Sequence, residues 1–275
     1  MLDKVFAPFE GQRDPFALAV VRVAFFTGLL LHFAPSLIWL DVGYGRGAVR
    51  TDAWNHWLFS HLWRIPPGVL RAMACVTLAA CVAGIAGFRT RYAAAIAFAG
   101  CFAFASFNSI HLQTLALIPA WALLLLWAIC GERQNKLLGG LILFQILLAV
   151  FFSGVEKVLA GWPGTNEMAI VLGYPHGFLV RDWVAALPVL HGPVLSHLFT
   201  YGTLVVELGA PFALLHPRTR LVAFIAWQAF FLGIIAMLEV PPLFYFIFAA
   251  GPVLALPDAQ LTGARQWVRA RVRRG

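Results

Sequence analysis

The feature that most restricts this chain is a recurrence: stretches of about 20 apolar residues, each long enough to cross a hydrocarbon core of about 30 Å as a helix. They are broken by short segments containing Arg, Pro or Gly. A bilayer core offers no water to a backbone amide or carbonyl, so these stretches must satisfy their own backbone and fold as helices. Eight spans are expected, over residues 16–40, 68–87, 92–110, 112–130, 137–159, 197–215, 220–238 and 242–257. The expected fold class is all-α, a polytopic transmembrane helix bundle occupying residues 1–275 as one domain. Only 12% of the residues are charged and 61% are hydrophobic, against roughly a quarter charged in a soluble domain. Water is therefore excluded as the solvent of most of the surface.

Short loops rich in Lys and Arg stay in the cytoplasm, so they should recur on every second side of the membrane. Lys4 and Arg13, Arg89 and Arg91, Arg133 and Lys136, Arg218 and Arg220, and the tail from Arg265 to Arg274 all fall on one side in this register. Both termini are accordingly expected in the cytoplasm. The net charge of +8 is spread among these breaks rather than along one soluble face, which argues against a nucleic-acid partner. The tail, with Trp267 and Val268 among its arginines, suits anionic lipid instead. The first apolar stretch is long, carries Arg22 and lacks a small-residue cleavage site, so it is expected to remain as the first helix. The four cysteines form no C-x-x-C pair and read as small apolar residues. Two segments on the outer side, 41–67 and 160–196, are too polar to span and too aromatic to be plain linkers. In the first, Trp54, Trp57, Leu58 and His61 recur at helical spacing, as in an interfacial helix or an aromatic belt.

Ionisable side chains inside a span are costly unless they are paired or face a cavity, so each marks a candidate site. Arg22 lies six residues into the first span, or about 9 Å from its cytoplasmic edge. Glu207 lies near mid-depth of the sixth, and an ion pair between these two residues is expected, serving structure or function. The fifth span ends in Phe-Phe-Ser-Gly-Val-Glu-Lys at 151–157, followed by Gly161 and Trp162. Ser153 precedes Lys157 by four residues, and Gln145 precedes Glu156 by eleven, so a polar stripe descends this helix. Asn108, Ser109, His111 and Gln113 form a turn on the same outer side. A lysine here can snorkel to water, or, partly desolvated, supply a neutral amine as general base while His111 donates to a developing anion. No metal-ligand set is expected.

The segment from Phe151 to Trp162, Phe-Phe-Ser-Gly-Val-Glu-Lys-Val-Leu-Ala-Gly-Trp, resembles the membrane part of vitamin K-dependent gamma-glutamyl carboxylases and the related bacterial HTTM domains. Ser-Phe-Asn-Ser-Ile-His at 106–111 is similar to the family's Asn/His turn, and Leu-Val-Val-Glu-Leu at 204–208 to its acidic helix. The acidic segment precedes a Thr219-Arg220 turn, and Arg22 matches an early arginine. The resemblance spans residues 20–255 and implies a multi-pass enzyme of a bacterial inner membrane with its chemistry on the outer face. It implies a reduced vitamin K or other isoprenoid quinone as cofactor, with oxygen and carbon dioxide. Lys157 would be the base and His111 the charge-stabilising residue. Asn108, Gln145, Ser153 and Trp162 are the expected cofactor-binding residues. Glu156 stands where the family often has a second lysine, and the animal enzymes' large lumenal domain has no counterpart in these residues. Expected partners are membrane lipid and a periplasmic protein or peptide. Competing readings are a non-catalytic subunit whose outer segments dock a periplasmic protein, and a transporter lined by Arg22 and Glu207, for which no internal repeat speaks.

Overall fold

The structure, a computed structural model, describes residues 15–38, 66–107, 117–131, 135–165, 167–173, 180–240, 242–257, 260–263 and 266. Within them the chain is almost wholly helical. The elements are α1 (Pro15–Ile38), α2 (Pro67–Ala86), α3 (Thr90–Phe107), α4 (Leu117–Cys130) and α5 (Asn135–Leu159), then a 3-10 turn at Trp162–Gly164. Short helices α6 (Glu167–Gly173), α7 (Asp182–Ala185) and α8 (Pro188–His191) lead into α9 (Pro193–Leu215) and α10 (Arg220–Met237). The last are α11 (Pro242–Ala250) and a 3-10 segment, Gly251–Ala255.

Five helices, of 18 to 24 residues, are long and apolar enough to cross a membrane. Their interior is apolar, as in a soluble bundle, but so is their surface. Val76, Val82, Val205, Val222 and Leu232 are exposed, while Thr77, Thr200 and Glu207 are among the few buried polar residues. Apolar side chains gain nothing by leaving lipid, so the interior is free for small and polar groups. The chain is a membrane protein by this criterion. Of the other three expected spans, α3 has 18 helical residues, α4 has 14, and 242–257 divides into α11 and the 3-10 segment. Lys4, Arg13, Arg133, the aromatic segment around Trp54 and most of the basic tail lie outside the described residues.

The chain divides into two compact units. In the unit comprising Met1–Ile142 and Pro242–Ile247, α1 packs on α2, α2 on α3, and α3 on α4. Its aromatic centre is Phe25 stacked on Trp127, with ring centroids 5.9 Å apart, and Phe26 set edge-on to Phe25. Phe26 fills the place that a Cβ on Gly84 would take, which draws α1 close to α2. The guanidinium of Arg22 lies against Gly87, where α2 ends. Nε of Arg91 donates to the carbonyl of Ala128 at 2.7 Å, in the last turn of α4. A helix leaves its last four carbonyls without amide partners, and a nearby arginine compensates both the acceptor and the dipole.

The other unit, Leu143–Pro241 with Phe248–Gly275, contains the rest of α5, the segment 160–196, and α9 with α10. The described residues of that segment form a 3-10 turn and short helices rather than a span. Leu172, Val180 and Val184 form a small buried cluster against Phe199, Met237 and Leu238. Arg181 Nε donates to Ile235 and Trp183 Nε1 to Ala236, capping the end of α10. At the opposite end of α9, Arg220 Nε donates to Leu214 and Thr219 Oγ1 to Ala213. Pro252 explains why α11 gives way to a 3-10 segment: it has no amide to donate to the carbonyl of Phe248 four residues back. Trp227 Nε1 supplies that carbonyl with a donor at 2.7 Å, and Gln228 Nε2 donates to Ala249 at 2.8 Å.

Trp227→Phe removes the indole donor to the carbonyl of Phe248 and is expected to cost about 1–3 kcal/mol. Pro252→Ala, which restores an amide, should make the same substitution milder. Thermal unfolding of the native chain, the two single variants and the double variant in detergent measures this coupling, and equal losses in both backgrounds would refute the assignment.

Candidate functional site

The site is built where α5 ends. Gly161 follows the helix at a φ of 83°, a left-handed conformation open to glycine without strain. That turn folds Trp162 back over the helix end, and Lys157 Nζ lies 5.4 Å from the centre of its ring, within cation–π range. The turn is held in place from α9, because Tyr201 Oη donates to the carbonyl of Pro163 at 3.1 Å. Thr165 Oγ1 closes it by donating to Gly161 at 3.2 Å.

One helical turn back, Ser153 Oγ accepts from Lys157 Nζ at 2.8 Å, the contact that four-residue spacing allows. The ammonium also meets both carboxylate oxygens of Glu207 on α9, at 2.5 Å and 2.6 Å. Ser153 Oγ in turn donates to Glu207 Oε1 at 3.4 Å. The three side chains therefore form a closed triangle with each polar atom engaged. Glu207 is buried, and about a fifth of the Lys157 side chain is exposed, at 21%.

Close approach of α5 and α9 is what permits this. A Cβ on Gly154 would lie 3.0 Å from Glu207 Cβ and 2.9 Å from Leu208 Cδ2, so nothing larger than glycine fits without displacing a neighbour. Phe151 and Phe212 continue the contact edge-on, with centroids 5.4 Å apart. Within α9, Pro211 removes the amide that would serve the carbonyl of Glu207. The backbone at this level is thus more polar than a regular helix.

The sequence-based candidates divide as follows. Lys157, Ser153 and Trp162 come together. Gln145 is half-buried on α5, eight residues from Ser153, or about 12 Å along the axis, and it does not reach the ammonium. Glu156 faces outward and is exposed. Glu207, assigned from sequence to Arg22, has both oxygens on Lys157, so its charge is compensated without the arginine. Asn108 and His111 lie outside the described residues.

The buried face of α9 also carries Ser196, Thr200 and Thr203, which the sequence reading passed over. With Glu207 they are spaced by four, three and four residues, a helical stripe that could have been found by period alone. Ser196 and Thr200 hydroxyls donate to carbonyls of their own helix. Among the described residues, no group of three or more His, Cys, Asp or Glu side chains is placed to hold a metal ion.

No family model, curated protein or solved structure matches this chain.

Removing one member of a buried ion pair strands its partner, so Lys157→Met and Glu207→Leu are each expected to destabilise by about 3 kcal/mol. The double variant should lose less than the sum, as read by thermal unfolding in detergent; additive losses would mean the pair contributes no coupling. Gly154→Leu should lower the melting temperature both in the native chain and when Lys157 and Glu207 are already replaced, because the Cβ of residue 207 and Leu208 that it meets remain.

Proposed function

We propose that the chain is an integral membrane enzyme resembling the vitamin K-dependent gamma-carboxylases, in which Lys157 accepts a proton from a reduced isoprenoid quinone. The observation that carries this reading is the Lys157 ammonium held between Ser153 and the buried Glu207 carboxylate at the end of an apolar helix. A buried pair of this kind is weak evidence for stability as such, because its desolvation offsets much of its attraction. It does provide an amine and a proton acceptor in contact.

A proton passed from Lys157 Nζ to Glu207 leaves both groups neutral, with the amine lone pair available as a base. Ser153 can accept from or donate to a hydroxyl, and the indole of Trp162 offers a flat face beside Nζ. These groups fit a planar aromatic diol. When bound, a reduced quinone would supply, with oxygen, the strong base needed to draw a proton from a carbon acid before carbon dioxide adds. The residues of this chain would orient the ring, take up its hydroxyl proton at Lys157, and hold the resulting charge beside Glu207 and Ser153.

The same reading places eight spans in a bacterial inner membrane, with both termini in the cytoplasm and a periplasmic protein or peptide as acceptor. Its support is the alternation of basic breaks and the resemblance of the 151–162 segment. His111 would stabilise negative charge opposite Lys157.

Protein in lipid nanodiscs, supplied with reduced menaquinone and bicarbonate, should consume oxygen. General-base contributions of about 100-fold or more predict a loss of that size in Lys157→Ala. No uptake by the native chain would overturn the enzyme reading, and undiminished uptake in Lys157→Ala would overturn the role of Lys157.

A further inference from the structure

The outer segment ends in residues 187–198, Leu-Pro-Val-Leu-His-Gly-Pro-Val-Leu-Ser-His-Leu, without a single Asp, Glu, Lys or Arg. Leu187, Val189, Val194 and Leu198 in this stretch are 44%, 64%, 71% and 61% exposed. In water such a run of outward aliphatic side chains would be a costly apolar patch. It is not isolated. Along α9, Val194, Leu198, Tyr201, Val205, Phe212 and Leu215 are all exposed, and their spacing of three, four or seven residues places them on one helix face. From Val194 to Leu215 this face extends for about 32 Å at 1.5 Å per residue.

That length matches a hydrocarbon core of about 30 Å. α9 is one of the five helices long and apolar enough to cross a membrane, and this exposed apolar face reaches its first turn. Only Gly192 separates α8 from α9, so Val189 is held next to that end. Pro193, Val194, His197, Leu198 and Tyr201 also line a shallow, largely apolar groove of about 370 Å³.

We propose that residues 187–198 are seated in the bilayer leaflet at the N-terminal end of α9, with Leu187 and Val189 among the lipid chains. The outer cap is then anchored in the membrane along this edge rather than standing in water. The occupant is bilayer lipid because the exposed row is continuous with the lipid face of a spanning helix and carries no charge for a protein partner to recognise.

The test uses Val189→Cys and Val194→Cys, each at an exposed position, with Cys75 and Cys130 replaced by serine. Each is nitroxide-labelled and the protein reconstituted in phosphatidylcholine vesicles. Relaxation by oxygen and by a water-soluble nickel chelate reports depth, with Phe212→Cys as the reference within the bilayer. Both labels are expected to favour oxygen over nickel as the Phe212 label does. A preference for nickel would place the segment in water, and protection from both reagents would show a protein cover; either result overturns the proposal. The outcome does not depend on catalysis.

Discussion

A bilayer core has no water to offer a backbone carbonyl or a carboxylate, and at several departures from a plain apolar helix among the described residues a side chain is placed to compensate. Pro252 takes a donor from Phe248, and Trp227 supplies one. The last carbonyls of α4, α9 and α10 receive side-chain donors from Arg91, Arg220 and Arg181. These basic residues supply side-chain donors to carbonyls that a helix end leaves without amide partners.

The Lys157–Glu207 pair is the same constraint met by side chains. Neither charge is tolerable alone at this depth, and Ser153 satisfies what remains of each. Two glycines make the arrangement possible for different reasons. Gly154 lets α5 and α9 approach, and Gly161 turns the chain so that Trp162 covers the ammonium. Both are local backbone requirements that serve a contact between residues 50 positions apart.

Much of the bundle was legible in sequence, because the length and apolarity of a span do not depend on what it packs against. The expected edges of 68–87, 137–159 and 220–238 fall within a few residues of α2, α5 and α10. The 242–257 segment was legible as apolar but not as divided, since the division depends on Pro252 and on the indole of Trp227 that donates to Phe248. The segment 160–196 read as too polar to span and too aromatic for a plain linker; its cluster of Leu172, Val180 and Val184 joins residues too scattered to show a period.

Lys157, Ser153 and Trp162 could be grouped from spacing alone, because they lie on one helix and the turn after it. The partner of Glu207 could not, since periodicity says which residues share a face but not which face meets which. From depth alone Arg22 was the cation assigned to it, and the structure places Lys157 there across the Gly154 contact. The sequence by itself thus determined that this is a helical membrane protein with charged residues inside its spans. Which charges meet, and which face of α9 is left to lipid, was decided only by tertiary packing, because both depend on how closely and at what rotation the helices come together.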